Sequence, residues 1–465
     1  MKALHDPDRL LAEGLAAIRG QFKVPVAFPP EVEAAAQVAA RRPLREHADR
    51  TGVPFVTLDP ASSTDLDQAF WIEPPSTSAG GDLVLHYAIA DVAWFVADGD
   101  PVDAEAWRRG ETTYLPDGKA GLYPKVLSEG AASLLPDGDR PAVIFTSRID
   151  PGGKAVLQGV ERAVIRSRAK LAYDSVRHDQ LPEGFAELAR RIAAADDARG
   201  AARVDPPEQE VERDAEGHFT LRLRPLTASE RSNAALSLAS NLAVADALLA
   251  ARTGLFRVMA GPDARAEARL RHTANAFGLS WPTDASLAQF ERLLDPAEPG
   301  EAAFMLAIRR AGNGASYVPW QSGVIPWHAA MAATYAHSTA PLRRLADRYV
   351  VRAALAVANG QTVPQEVEQA FQRLGPVMER SQARSSQIER AVVDLAEAAI
   401  LAGREGEDFA AVVTDLGDNG TRIQLCDLPI VARTAAHRVR PGDRIMVRLE
   451  SADPIRREVR FARLS

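Results

Sequence analysis

Thr57-Leu58-Asp59-Pro60-Ala61-Ser62-Ser63-Thr64-Asp65-Leu66-Asp67-Gln68 is the stretch on which the reading of this chain turns. Residues 53–58 before it and 68–72 after it are β-branched or aromatic runs, which predicts two strands flanking a polar loop. Three aspartates stand in the loop at i, i+6 and i+8. Asp65 and Asp67 are two apart and project to the same side of an extended chain, and Asp59 leaves the end of a buried strand. Converging carboxylates repel one another. Hard divalent cations remove that penalty, and oxygen-only ligation suits Mg²⁺ or Mn²⁺. Two such ions about 3.5–4 Å apart activate a water and stabilise the leaving oxygen of a phosphodiester. Asp, Ser, Thr and Pro also make ordinary turns, and the spacing is loose, so the loop alone does not decide between the two readings.

Outward from the loop, residues 83–96 (LVLHYAIADVAWFV) read as one long buried strand, and a helix follows Pro101. Asp91 falls inside that strand. A buried aspartate wants a partner, so it is expected to support the acidic loop. Residues 142–149 and 155–165 are further strands, 171–178 begins a helical stretch, 185–199 is a helix stopped by Gly200, and 211–223 is a hairpin. Helices dominate from 229 to 403. The first fifty residues form two short helices, read as a packing arm, the second opened by Pro29-Pro30. After Gly403 short alternating strands return, at 409–414, 422–425 and 444–450, which suggests a small oligonucleotide-binding type of barrel. From residue 422 onward ten arginines face five acids, a local basic excess that suits either a nucleic-acid face or a solvated barrel surface. The expected class is α+β, with a sheet in the first half and helices in the second, divided at 1–50, 51–402 and 403–465.

The second informative stretch is Tyr335-Ala336-His337-Ser338-Thr339-Ala340-Pro341-Leu342-Arg343-Arg344-Leu345-Ala346-Asp347-Arg348. Pro341 suits the first turn of a helix, with Ser338 or Thr339 as its cap. Leu342, Leu345, Ala346, Tyr349, Val350, Ala353, Ala354 and Val357 continue as an apolar stripe. This reading puts Arg343 and Arg344 in the first turn, where free N–H groups and the dipole already attract anions. Two cations there are unfavourable until a phosphate binds, and guanidinium grips phosphate oxygens bidentately. Asp347, four residues after Arg343, is placed to hold it. Exposed charge on a surface helix is the plainer alternative.

Composition narrows the field. The chain has 465 residues, 46% apolar and 25% charged, which predicts two to four domains and excludes disordered and collagen-like classes. Cys426 is the single cysteine, so neither an intrachain disulfide nor a cysteine zinc cluster is available. A net charge of −7 argues against wholesale coating by nucleic acid, though not against a local basic channel. There is no GxSxG elbow and no GxxxxGK loop. His328 and His337 lack metal-ligand spacing, and His86 reads as structural. The opening residues lack a signal peptide's apolar run. Residues 234–251 are interrupted by Ser237, Ser240, Asn241 and Asp246 and read as a buried helix. The expectation is a cytoplasmic monomer with no membrane partner.

With both stretches in view, the chain resembles the RNase II/RNase R (RNB) family of 3′→5′ exoribonucleases. The resemblance runs from about 52 to 402, through PFVTLDPASSTDLDQAF, LHYAIADVAWFV, RRGETTYLPDG, LSEGAASLLPDGDRPA and YAHSTAPLRRLADRYVVR, in family order. It implies that Asp59, Asp65 and Asp67 bind metal, Mg²⁺ with Mn²⁺ as a substitute. Tyr114 would contact the terminal nucleotide, and Arg343 the scissile phosphate, with Arg344 beside it. The segment at Glu389-Arg390 looks like the family's Glu-Arg segment before its RNA-binding barrel. The implied activity is processive, two-metal hydrolysis of single-stranded RNA to 5′-mononucleotides. Several positions depart from the family. Gln68 stands where a fourth aspartate is usual. Ala234 and Ala235 replace paired glutamates if Asn241 is the anchor, and Val204 replaces a stacking aromatic. Where the family carries two N-terminal cold-shock barrels, the expectation here is the short helical arm in their place. These departures motivate a second reading, a weak or inactive RNA-binding protein on the same scaffold. A third is a nuclease acting on DNA.

Overall fold

The computed structural model describes residues 10–73, 81–136, 138–202, 208–213, 219–224, 226–295, 298–312, 314–417 and 420–464. Two helices open it, α1 (Leu10–Gln21) and α2 (Pro30–Ala39). There follow β1 (Ala48–Asp49), β2 (Val56–Asp59), β3 (Gln68–Ile72), β4 (Leu83–Ala90), α3 (Val92–Phe95), α4 (Pro101–Arg109), β5 (Thr113–Leu115), β6 (Gly118–Ala120), β7 (Arg140–Ile149), β8 (Ala155–Ile165) and β9 (Ala169–Ala172). Seven of these strands form one sheet in the order β1-β8-β7-β4-β3-β2-β9. Its central strands are buried on both faces, with Leu85, Tyr87, Ile89, Phe70 and Phe145 fully buried. Each such side chain contributes about 1.5–3 kcal/mol relative to exposure.

The helical half begins with α5 (Phe185–Arg199), the hairpin β10 (Glu208–Arg213) and β11 (Phe219–Arg224), and α6 (Ala228–Ala250). It continues through β12 (Leu255–Met259), α7 (Ala264–Ala276), α8 (Leu287–Glu291), α9 (Pro299–Ala311), β13 (Ala315–Pro319), β14 (Trp327–His328), β15 (Ala333–Thr334), α10 (Leu345–Ala358) and α11 (Gln365–Leu401). Residues of α6 and α10 share one apolar core with the sheet, including Leu236, Val244, Leu345 and Val350. Among the described residues α6 is the one helix long and apolar enough to cross a membrane, and half of its most apolar window is buried within the protein. Gly375 in α11 sits where a side-chain carbon would come within 2.9 Å of the Tyr317 carbonyl oxygen, so its lack of one lets β13 approach the helix.

The last strands, β16 (Asp408–Gly417), β17 (Gly420–Leu425), β18 (Val431–Ala435), β19 (Arg444–Asp453) and β20 (Glu458–Arg463), close into a barrel. Ala411, Val413, Ile423, Val447 and Leu449 fill its interior. Closure removes exposed sheet edges.

Four sequence expectations need correction. The strand expected over 83–96 ends at Ala90, and a single helical turn follows. Asp91 turns the chain there, and its carboxylate accepts from His47 Nε2 at 3.2 Å and Arg162 Nε at 2.8 Å. Its partners therefore tie residues 47 and 162 together and are not groups of the acidic loop. The expected helical start at 171 is instead the end of β9, which pairs parallel with β2 and satisfies backbone groups that β2 would otherwise leave open. A four-stranded sheet, β13-β12-β14-β15, stands within the region read as helical. The turn of the hairpin expected over 211–223 lies outside the described residues.

Candidate active site

The acidic loop leaves β2 and returns as β3, its antiparallel neighbour, so both ends are fixed by one sheet. The Leu66 N–H donates to Ser133 Oγ at 2.9 Å, and the Ser133 hydroxyl donates to the Thr64 carbonyl at 2.8 Å. Leu66 is fully buried between its two aspartates. Asn233 of α6 donates to the Leu58 carbonyl at 3.2 Å, which fixes the strand end before Asp59.

Each aspartate has a different environment. Asp67 is buried, and its Oδ1 accepts from the Leu342 N–H at 2.7 Å. Its Oδ2 lies 3.5 Å from Arg343 Nε. Burial pushes the Asp67 carboxyl up to about 8, against the pull of Arg343 and the Leu342 hydrogen bond. Burial likewise raises Asp59 to about 6, with Arg343 opposing and Asp65 adding to the rise. Asp59 Oδ2 is buried without a hydrogen-bond partner. Asp65 Oδ1 lies 2.6 Å from Lys119 Nζ. Gln68, at the start of β3, has its amide oxygen taken by the Tyr87 hydroxyl.

The arginine segment differs from its expected geometry. The helix α10 starts at Leu345, with Arg344 in its N-cap position, so Pro341 and Arg343 lie in the preceding turn and not in the first helical turn. The cause is a set of non-local bonds. Thr112 N–H donates to the Arg343 carbonyl at 2.9 Å, Leu345 N–H donates to the Gly110 carbonyl at 3.0 Å, and Glu111 and Arg344 form a bridge. Asp347 pairs with Arg344, at 2.9 and 2.8 Å, and not with Arg343; its Oδ1 also accepts from the Ala340 N–H at 2.8 Å. Ser338 and Thr339 do not cap the helix; Asn241 of α6 accepts from both the N–H and the hydroxyl of Ser338 at 2.9 Å. Arg343 is thereby left free to lean on Asp67, with 44% of its side chain exposed.

Tyr114 lies on β5, half exposed, in a hairpin with β6 that places it opposite Lys119. Partial desolvation raises its phenol pKa first, and the Asp65 carboxylate raises it further. Arg19 of α1 grips Asp117 of this hairpin with two hydrogen bonds, 3.1 and 2.8 Å. Tyr114, Arg343 and Arg344 line a cleft of about 270 Å³ together with Arg257, Tyr317 and His337. Arg257 stacks over the Tyr317 ring at 4.5 Å, and its Nη2 donates to Gln382 at 2.7 Å. Burial and then Arg344 and Arg257 hold His337 well below its ordinary pKa, so it stays neutral among three arginines. Of the three guanidinium groups around the cleft, Arg344 is paired with Asp347, which leaves Arg257 and Arg343 to attract an anion, with Glu111 on the same lining. Glu389 also borders it.

The sequence-predicted residues Asp65, Asp67, Tyr114 and Arg343 thus meet at one place, and Asp59 joins them through the shared field. Ala234 and Ala235 lie on α6, and Val204 lies outside the described residues. Lys119, Arg257 and Asn233 were missed. Asn233 left a trace, since Asn233, Ser237 and Asn241 repeat every four residues on an otherwise apolar helix. Lys119 and Arg257 left none. Among the described residues no three His, Cys, Asp or Glu side chains are gathered into a metal cage. The donor chemistry nonetheless fits a hard cation. Asp59 offers a buried, unpartnered oxygen, and burial has raised two carboxyls that a cation would ionise.

A profile of the RNB domain matches residues 45–359, and one of the RNase II-type exonuclease C-terminal S1 domain matches residues 407–464. Ribonuclease R of Aquifex aeolicus is 26% identical, covering 95% of this chain and 69% of that protein. Ribonuclease R of Escherichia coli is also 26% identical, but the chain spans only 57% of its length. The solved structure of Mycoplasma genitalium RNase R in complex with ribose-methylated single-stranded RNA superposes with a TM-score of 0.86 at 20% identity. That match covers 100% of this chain and 79% of the other, and it speaks to the fold.

Proposed function

Because this chain belongs to the RNB family, we propose that it is a divalent-metal-dependent 3′→5′ exoribonuclease acting on single-stranded RNA. It would release 5′-mononucleotides processively, in the cytoplasm and as a monomer. The observation that carries the reading is the approach of Arg343 to Asp67, 3.5 Å, where Arg343 also lines a cleft with Tyr114. A divalent cation held by Asp59, Asp65 and Asp67 supplies, when bound, activation of a water and charge neutralisation at the leaving oxygen. Arg343 neutralises the phosphoryl oxygens as negative charge develops on them. Tyr114 stacks on or braces the terminal nucleotide. Asp67 orients Arg343 and the Leu342 peptide together, so one carboxylate sets two donors. Arg257 meets the next phosphate along the cleft, and Arg344, its charge already matched by Asp347, borders the same path. The arginine-rich barrel guides the incoming strand.

The bacterial relatives named Ribonuclease R support this reading, and so does the matched S1 domain. One observation favours a weak or inactive RNA-binding protein instead. Gln68 carries no charge, and its amide oxygen is engaged by Tyr87, so it is a poor metal donor here. Single-stranded RNA labelled at either end, incubated with Mg²⁺, separates the two. Mononucleotide release from the 3′ end supports the enzyme, whereas stable binding without release supports the binder. A matched deoxy strand tests the DNA reading.

A further inference from the structure

Lys119 sits inside the acidic site. It faces Tyr114 across the β5–β6 pair, and opposite residues of antiparallel strands share a face. Its Nζ lies 2.6 Å from Asp65 Oδ1 and 3.2 Å from Glu129 Oε1, with only 22% of the side chain exposed. Two carboxylates from separate segments therefore hold one ammonium, and Arg19 fixes the hairpin that presents it.

Charge decides what this does. Asp59, Asp65, Asp67 and Glu129 are four carboxylates, and among the described residues the cations in ion-pair contact with this group are Lys119 and Arg343, with Lys170 acting on Asp59 from further off. When all are ionised, the remaining formal charge is two minus, which one divalent ion neutralises. A second ion would have to displace the ammonium from Asp65. It would also lack a donor at Gln68, whose oxygen the Tyr87 hydroxyl holds. Resting on the metal-dependent reading above, we propose that Lys119 is a resident cation of the acidic loop. It stands on Asp65 in place of a second metal, so the loop takes one divalent ion per chain.

Titration of the full chain with Mn²⁺, following free Mn²⁺ by electron paramagnetic resonance, tests this without reference to turnover. The wild type and Lys119→Arg each bind one Mn²⁺. Lys119→Met, which keeps the aliphatic stem, binds two, or binds the second at least about tenfold more tightly, a change of about 1.4 kcal/mol. Two ions in the wild type, with affinities unchanged in Lys119→Met, overturn the proposal and leave metal dependence standing. One ion in both the wild type and a folded Lys119→Met overturns the role of the lysine. No Mn²⁺ in any of the three removes the metal-dependent reading and this proposal with it. Should Lys119→Met fail to fold, the wild-type count decides, one ion supporting the proposal and two overturning it.

Discussion

Arg343 and Asp67 are coupled through two adjacent donors: the guanidinium Nε stands 3.5 Å from Asp67 Oδ2, while the neighbouring Leu342 N–H donates to Oδ1 at 2.7 Å. The carboxylate proposed to hold the metal thus also fixes the turn that carries the arginine. Replacing it with an amide separates the two roles.

Asp67→Asn retains an oxygen for Leu342 and loses the charge. Hydrolysis is expected to fall by about 10³-fold or more, the scale of losing a preorganised electrostatic group, while RNA affinity and melting temperature hold. Single-turnover kinetics beside a filter-binding titration read this. Unchanged turnover would remove Asp67 from the mechanism.

Arg343 and Arg344 are neighbours with different duties. Arg344 neutralises Asp347, which is fully buried. Arg344→Ala strands that carboxylate and is expected to cost about 3–5 kcal/mol in urea denaturation. Arg343→Ala takes from Asp67 only a 3.5 Å contact with a half-exposed guanidinium and leaves it the Leu342 hydrogen bond, so its melting curve should stay near wild type while kcat collapses. Equal destabilisation by both would contradict this division.

Much of the site was legible in the sequence, and the reason is local. The aspartate loop lies between neighbouring strands whose periodicity is visible, so its position follows from pattern alone. The arginines were legible as residues but not as geometry. Pro341 suggests a helix start, whereas bonds to Gly110 and Thr112 delay it to Leu345. Such bonds join segments far apart in the chain, and spacing does not encode them. Lys119 follows an ordinary Asp-Gly turn and acquires meaning only when Asp65 and Glu129 fold against it. Strands β14 and β15, two residues each, are too short to leave any period.

Gly110 closes α4 at φ 75°, and a side-chain carbon there would meet Ser381 Oγ at 2.5 Å. Its carbonyl is the acceptor for Leu345. Gly110→Ala combines backbone strain with overpacking and is expected to destabilise by about 1–3 kcal/mol. It should also lower kcat, because the Arg343 turn hangs on the same contact. A melting curve with kinetics checks both; a silent substitution would show that α11 yields at Ser381.

Glu291 is buried at the end of α8, and Oε2 has no hydrogen-bond partner. Burial raises its carboxyl to about 7, with Arg292 opposing. A folded-state pKa above the unfolded one means that the protonated form favours folding. That contribution is complete below about 4.5 and is lost as pH rises through about 7. Glu291→Gln should therefore change little at pH 4.5 and stabilise by about 1–3 kcal/mol at pH 8. Denaturation at the two pH values measures this, and an equal effect at both would refute it.

The pair between Arg19 and Asp117 has a consequence for anyone who handles the protein. A ribbon of two three-residue strands is marginal in water without outside support. Here the opening helix supplies part of that support. Shortening the front of the chain past Arg19, or fusing a bulky tag against it, would loosen the aromatic and the ammonium in one stroke. Preparations differing only in their first twenty or so residues would then disagree about both grip on RNA and appetite for metal.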